Sequence, residues 1–550
     1  MIFACILQFC QYVFRPEKTG LLPEKHSNSM RFFRTFLTSI LPVSGLCLLT
    51  LTLGCSNGPV LPPGTVSTTA NPQVAQYTIT PPQAGTVTIE FGKTTQYGLQ
   101  TATVPTPTGG GPVSIYVAGM QANTAYHMRA KVAYYDGTVL LDTDHVFVTG
   151  SYPAGSLPSF SATTTQGQTP QPGIEIVNTF SSNGGGITAV DLSGNVIWAV
   201  SPGLSLGGAS WLAPKQLANG DWIALETTSS YNVPNGALNL AREFDLVGNT
   251  VKQITMPQLN AALAAANYNL TLLAFSHDIL VLPNGHWIVL AITSQPVTLA
   301  GASSPTTVFG DVIVDLDTNL NPVWVWNEFD HLDINRQPWN FPDWTHTNAM
   351  LYSPDDGNLL VSIRHQNWVV KVDYENGSGT GNILWRLGEG GDFKLIGGTD
   401  PTDWNYAQHG INFASANTTG IFDLTMMDNG DDRQYPGGPT GNNLPTCGTD
   451  GSPACYSTVP IFEINESNMT ATLLFHQFVP ENLYNSWGGN AEVLQNGDVE
   501  YDLCGLPTLN SQVFEVTNDS NPQTVWNLQI GGINAYRAYR LPSLYPGVQW

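Results

Sequence analysis

From about residue 173 to its end the chain repeats one pattern, and this repetition limits the available folds more than any other feature. Six segments read hydrophobic–acid–hydrophobic, then a turn, then hydrophobic. They centre on Asp191 before Val196-Ile197-Trp198, Asp245, Asp315 before Val323-Trp324, Asp373 before Ile383-Leu384-Trp385, Glu463, and Glu515 before Val525-Trp526. Hydrophobic hairpins alternate with them and turn at Asn219-Gly220, Asn284-Gly285, Asp356-Gly357, Asn496-Gly497 and, more loosely, between Asn417 and Gly420. Asn-Gly and Asp-Gly supply the positive φ angles of a two-residue hairpin turn. Such units cannot bury a face alone, whereas a ring of them shares cores and protects its edges. The expectation is an all-β chain in which residues 173–550 form a six-bladed β-propeller. The strand-like run Ala535 to Arg540 would complete the first blade, which lacks a clear inner half. The repeats are longer than the usual blade of about 40–50 residues, so loop insertions are expected. A β-helix, with shorter and more uniform turns, is the alternative.

The preceding segments differ. Residues 73–150 alternate in Thr86 to Phe91, Val113 to Val117 and Val146 to Val148, and Asn123 to Arg129 resembles the tyrosine-corner strand of a fibronectin- or immunoglobulin-like β-sandwich. The Pro/Thr/Ser-rich stretches 56–72 and 151–172 read as linkers. No long helical periodicity follows residue 56.

Residues 1–55 read as an extension and an export signal. Met30 is a plausible start, Arg31 and Arg34 a basic head, Phe36 to Leu53 an apolar run, and Leu51 to Cys55 resembles a lipoprotein box with Cys55 as the lipidated residue. An ordinary cleaved signal or an uncleaved anchor is the alternative. Export implies the periplasm or cell envelope, with membrane contact only through the anchor or signal. Cys447 and Cys455 flank a Gly/Pro/Asp loop and could pair in an oxidising compartment or stay free thiols. The net charge of -23 argues against nucleic acid and anionic membrane as partners. A homodimer is compatible with the sequence.

Three histidines occupy the same place in successive repeats. His277, His346 and His409 each open a hydrophobic run that a turn at Gly285, Gly357 or Gly420 closes. In a circular fold, equivalent positions lie equally far from the axis, so three such imidazoles converge. Arg364 sits on an otherwise apolar run, where a guanidinium is costly to bury unless it meets an anion or a carboxylate. His365 should point to the opposite strand face by the period of two. His286, in a hairpin turn, reads as surface. Trp344, Trp404 and Tyr406 could stack on an aryl ring or pack within the blades.

The runs Ser276-His277-Asp278, Trp344-Thr345-His346-Thr347-Asn348, Ser362-Ile363-Arg364-His365-Gln366 and Gln408-His409-Gly410, with the repeats and the β-leader, resemble bacterial arylsulfate sulfotransferases over about residues 75–545. That family moves a sulfuryl group between phenols without a phosphoadenosine-phosphosulfate donor. The resemblance implies a six-bladed propeller behind a small β-sandwich. It implies His409 as nucleophile, His277 and His346 as the other active-site histidines, Arg364 as the active-site arginine and Asn348 as a substrate-binding residue. The substrates would be an aryl sulfate donor and a phenolic acceptor, with no cofactor and no metal. The long loops depart from the family, and its acceptor-pocket residues cannot be matched one by one.

The chemistry fits these residue types. A sulfate monoester spreads one charge over three oxygens, and its transfer should pass through a loose transition state. An arginine fork can bind two of those oxygens. A neutral imidazole can attack sulfur, giving a sulfo-histidine and ping-pong kinetics, and a second imidazole can move the phenol proton. Three competing functions are weighed. A metal-dependent hydrolase could use the histidines as zinc ligands, although Arg364 would repel the cation. A non-catalytic binding propeller is possible in principle. A sulfatase would use water as the acceptor, but its usual Cys/Ser-x-Pro-x-Arg signature is missing.

Overall fold

Alternation of buried and half-buried residues builds the first unit of the structure, a computed structural model. Ala75–Ile79, Gly85–Gly92, Val113–Val117 and Ala125–Tyr134 each turn every second side chain inward. Tyr77, Val87, Ile89, Phe91 and Met128 meet between two antiparallel sheets. Tyr126 accepts a hydrogen bond from the Gln121 backbone N–H at 3.0 Å, as a tyrosine corner requires. The structure describes residues 60–180, 185–201, 210–227, 239–336, 338, 342–417, 419–431, 433, 447–448, 453–506 and 510–550. Cys55 and the expected export segment lie outside them. No helix among the described residues is long and apolar enough to cross a membrane.

The repeating part of the chain is all-β. Six sheets of four or five strands follow one another, antiparallel apart from the short parallel strand Lys394–Ile396. Five of them begin with Ser210–Gln216, Ala274–Val281, Thr347–Ser353, His409–Phe413 and Asn490–Val493. The remaining sheet joins Ile174–Phe180, Ile187–Asp191 and Val196–Val200 to Asn534–Leu541 from the far end of the chain. The leading strands lie against one another in chain order, and Asn490–Val493 lies against Asn534–Leu541. Gly285 (φ 83°) and Gly357 (φ 73°) take the left-handed conformation that their hairpin turns demand.

Two stretches read as linkers contain strands. Thr65–Thr68 pairs with Ala75–Ile79, and Ser159–Thr164 pairs with Thr524–Gly531. Both are sheet-edge strands with largely exposed side chains, so threonine's β-propensity decides their conformation with little burial to mark it. The first repeat sheet also has its own strand Ile174–Phe180 where the sequence showed none. Among the described residues one α-helix, Met256–Ala265, starts at a capping box of Thr255 and Gln258 with Pro257 in its first turn. The sandwich is joined to the repeats: Gln73 Nε2 donates to Val196 O, Asn71 Nδ2 to Ala199 O, and one hydrophobic core runs through both.

Arg540 anchors the C-terminal strand. Its Nε donates to Glu175 at 2.8 Å, NH2 to Glu500 at 2.6 Å and NH1 to Glu515 at 3.2 Å, while Glu492 accepts from its backbone N–H. Burial raises the carboxyl pKa of Glu175, Glu492 and Glu500. A raised folded-state pKa stabilises the fold below the ordinary value, and this contribution is lost as pH rises through the shifted one. Glu492→Gln keeps the acceptor but removes the titrating proton. Thermal unfolding at about pH 6 and about pH 9 should show a smaller alkaline loss in this variant, because the part of the Glu492 shift that lies between those pH values is removed. Equal losses in variant and wild type would refute a proton-holding role for this cluster.

Candidate active site

Strand irregularities aim the site residues. The ladders slip between Phe275 and Ile279, between Thr347 and Ala349, and between His409 and Asn412, at the same place in three successive sheets. Such bulges re-aim side chains. His277 (φ 36°) and His346 (φ 52°) sit in the left-handed region, which costs a non-glycine residue about 1–3 kcal/mol and persists only where the surroundings enforce it. Gly410 (φ 55°) follows His409; a Cβ there would lie 2.7 Å from Asn490 Oδ1 and from Gly489 O.

The His277 and His346 rings lie 4.8 Å apart, and those of His346 and His365 4.6 Å. Tyr536 stands between His277, at 5.8 Å, and His409, at 6.3 Å. His409 is buried and its Nδ1 meets Asn429 Oδ1 at 2.7 Å. His346 Nδ1 meets Asp343 Oδ2 at 2.5 Å, and His277 Nδ1 meets Ser276 Oγ at 2.6 Å.

Arg364 does not continue the strand Asn358–Ile363 but begins a 3-10 turn, Arg364–Gln366. That turn cancels the period of two. His365 therefore joins the cluster instead of facing away from it. Arg364 NH1 donates to His365 Nε2 at 2.6 Å; NH2 donates to Asp431 at 2.8 Å and to Ser486 O at 3.3 Å. Asn348 is fully buried; its Nδ2 donates to Gln408 O at 2.7 Å, and its own carbonyl accepts from Arg537 NH2 at 2.5 Å. The first of these bonds fixes the backbone next to His409. Cys447 and Cys455 are disulfide-bonded to each other.

Burial, then the Arg364 charge, holds the His409 pKa well below the usual imidazole value, although the Asn429 bond works the other way. Burial, then the charges of His346, His409, Arg537 and Arg364, does the same to His277. Burial also depresses His365, against the pull of Asp343. Burial pushes the Asp343 carboxyl up, but His346, His365 and Arg364 outweigh it and leave the pKa lowered. Burial pushes Asp431 up to about 6, with Arg364 opposing. Neutral His277 and His409 at pH 7 follow.

Several of these groups were not foreseen. Asp343 stands three residues before His346. Asn429 and Asp431 follow the strand Ile421–Met427. Tyr536 and Arg537 lie on the C-terminal strand, where Arg537 shows the same signal as Arg364, a guanidinium in an apolar run. Asp278 supports the site from below. It takes 2.5 Å and 2.9 Å bonds from Lys215 Nζ and Met350 N, and Arg537 NH1 lies 3.4 Å away. Trp344, Trp404 and Tyr406 are buried, against Phe329, Phe462 and Asp400 respectively.

Asp343, His346 and His365 offer ligand atoms within 4.8 Å of one another. The fit to a cation is poor. His365 Nδ1 bonds the Asp343 carbonyl at 2.9 Å while Nε2 accepts from Arg364. A metal would have to displace the first bond and sit beside a guanidinium, whereas the same charges suit an anion.

The family model described as Arylsulfotransferase (ASST) matches residues 161–537. No curated protein matches the chain. Among solved structures, a lignostilbene dioxygenase of Pseudomonas brassicacearum aligns with 84% of this chain and 93% of its own at 10% identity and a TM-score of 0.32. A polysaccharide lyase, an ulvan lyase, aligns with 77% of this chain and 92% of its own at 8% identity and a TM-score of 0.28.

Proposed function

The chain belongs to the arylsulfotransferase family, and from that premise we propose that it passes a sulfuryl group from an aryl sulfate to a phenol through a sulfo-histidine on His409. The six sheets are read as blades of a propeller closed by Asn534–Leu541, with the histidines at the ends of their leading strands. The observation that carries the reading is the meeting of imidazoles from three successive sheets beside the Arg364 guanidinium.

The residues divide the work. Arg364, held by Asp431, His365 and Ser486, is placed to engage the sulfate oxygens. His409, kept neutral by burial and by Arg364, attacks sulfur. The leaving phenolate needs a proton and the acceptor phenol must lose one. His346 suits that task, because Asp343 at 2.5 Å from its Nδ1 holds the ring in place and an imidazole can both give and take a proton. His277, with its pKa depressed, serves as a neutral hydrogen-bond partner of the sulfuryl group. A single site then serves donor and acceptor in turn. The reading includes export to the cell envelope with Cys55 as lipid attachment, which the Cys447–Cys455 bond supports because disulfides persist in oxidising compartments.

Protein mixed with excess aryl sulfate, without acceptor, and quenched with denaturant at mildly alkaline pH should carry one sulfonate on the peptide that contains His409, with one equivalent of phenol released per site. Adding a phenol should discharge it. Phenol release that requires acceptor, with no adduct at the earliest times, would replace the sulfo-enzyme by direct displacement. Continuous release into water would make the protein a sulfatase.

A further inference from the structure

The imidazole assigned to carry the sulfuryl group is oriented by a network that bears no charge. Asn429 is fully buried and its Oδ1 meets His409 Nδ1 at 2.7 Å. Its Nδ2 faces two carbonyls, Asn485 O at 2.8 Å and Gly488 O at 3.1 Å. A flipped amide would set its oxygen against both carbonyl oxygens, so this orientation is forced. The layer behind is satisfied as well. Asn485 Nδ2 donates to Gly488 O at 3.1 Å, and Asn485 Oδ1 accepts from Gly505 N at 2.5 Å. Ser457 Oγ accepts from Asn485 N at 3.0 Å and lies 3.0 Å from Asn429 O and 3.1 Å from Asn485 O. A buried polar network in which every member is paired specifies one geometry.

Asn429 Oδ1 can only accept, so His409 Nδ1 must carry the ring proton and the lone pair must stand on Nε2. We propose that Asn429, seated on Asn485 and Ser457, is a positioning residue that locks His409 in the Nδ1–H tautomer and presents Nε2 to sulfur. The proposal rests on the sulfo-histidine reading. In the first half-reaction the Nε2 lone pair forms the N–S bond, the ester S–O bond breaks, and the departing phenolate takes its proton from His346. In the second the phenol oxygen attacks sulfur, its proton passes to His346, and the N–S bonding pair returns to Nε2. Nδ1 keeps its proton throughout.

The amide suits this task better than a carboxylate would. A carboxylate would place a negative charge behind the ring that must receive an anion. It would also make Nε2 more basic, so that at neutral pH the ring would take up a proton and lose the lone pair. Gly488 and Gly489 let the backbone approach this closely: a Cβ on Gly488 would lie 2.9 Å from Cys504 Sγ, and one on Gly489 2.9 Å from Asn485 Nδ2.

Two measurements test the assignment. In wild-type protein with 15N-labelled histidine, the His409 signals, identified by their loss in His409→Gln, should report protonated Nδ1 and unprotonated Nε2; the opposite tautomer overturns the proposal. In Asn429→Ala, the rate of sulfo-enzyme formation should fall about 10- to 100-fold while KM for the donor stays within about threefold, as for loss of an orienting partner. An unchanged rate, or a loss confined to KM, overturns it. Adduct formation by wild-type protein in the same preparation separates the two ideas. With the adduct present, failure falls on Asn429 alone; with it absent, failure falls on the sulfo-histidine itself.

Discussion

Replacing His409 by Ala is expected to lower transfer from an aryl sulfate to a phenol by at least about 10⁴-fold, or roughly 5.5 kcal/mol of barrier. No neighbour can take over. His346 Nδ1 is bound to Asp343 and His277 Nδ1 to Ser276 Oγ, so each ring is fixed for another task. The shortened side chain would leave a buried space facing Arg364 and Tyr536, lined by residues that still bind the anion. KM for the donor should therefore change far less than kcat. Steady-state kinetics with donor and acceptor varied together checks this, alongside thermal unfolding to establish that the variant is folded. A kcat within about tenfold of wild type would remove His409 as nucleophile. If the residual reaction needed both substrates bound at once, direct displacement would take the place of the ping-pong scheme.

His409 was legible in the sequence because it repeats the position of His277 and His346 ahead of a turn glycine. Why these side chains meet was not. Their convergence depends on three ladder slips and on left-handed backbone at His277 and His346, and neither leaves a trace in residue spacing. Periodicity also failed at Arg364, because a 3-10 turn replaces the strand there and brings His365 into the cluster. Asn429 escaped notice because its partner lies 20 residues earlier in the chain and no pattern joins them. Arg537 was hidden in a run read only as closure of the repeats. At the level of the fold, hydrophobic alternation disclosed the strands with a buried face. It missed the exposed edges Thr65–Thr68 and Ser159–Thr164, where pairing and not burial decides the structure. The disulfide was legible because its cysteines are only 8 residues apart across a loop of turn formers.

Arg364→Ala should weaken the handling of the anion more than the chemistry. If the fork binds two sulfate oxygens through charge-assisted bonds worth about 1.5–3 kcal/mol each, its loss costs roughly 3–6 kcal/mol, or about 10²- to 10⁴-fold in kcat/KM. Because the three oxygens are charged in donor and transition state alike, most of that loss should appear as a higher KM. Asp431 does not confuse the outcome. Burial pushes its carboxyl up to about 6 with the guanidinium opposing, so removing that cation pushes it further up. The variant therefore loses a cation without gaining an anion. Arg364→Lys should recover little. A single ammonium cannot reproduce a planar fork that engages His365, Asp431 and Ser486 on one side and an oxyanion on the other. Donor saturation curves for the three proteins at neutral pH decide the matter. A lysine variant close to wild type would reduce Arg364 to a general positive charge, and an alanine variant close to wild type would take the anion away from it.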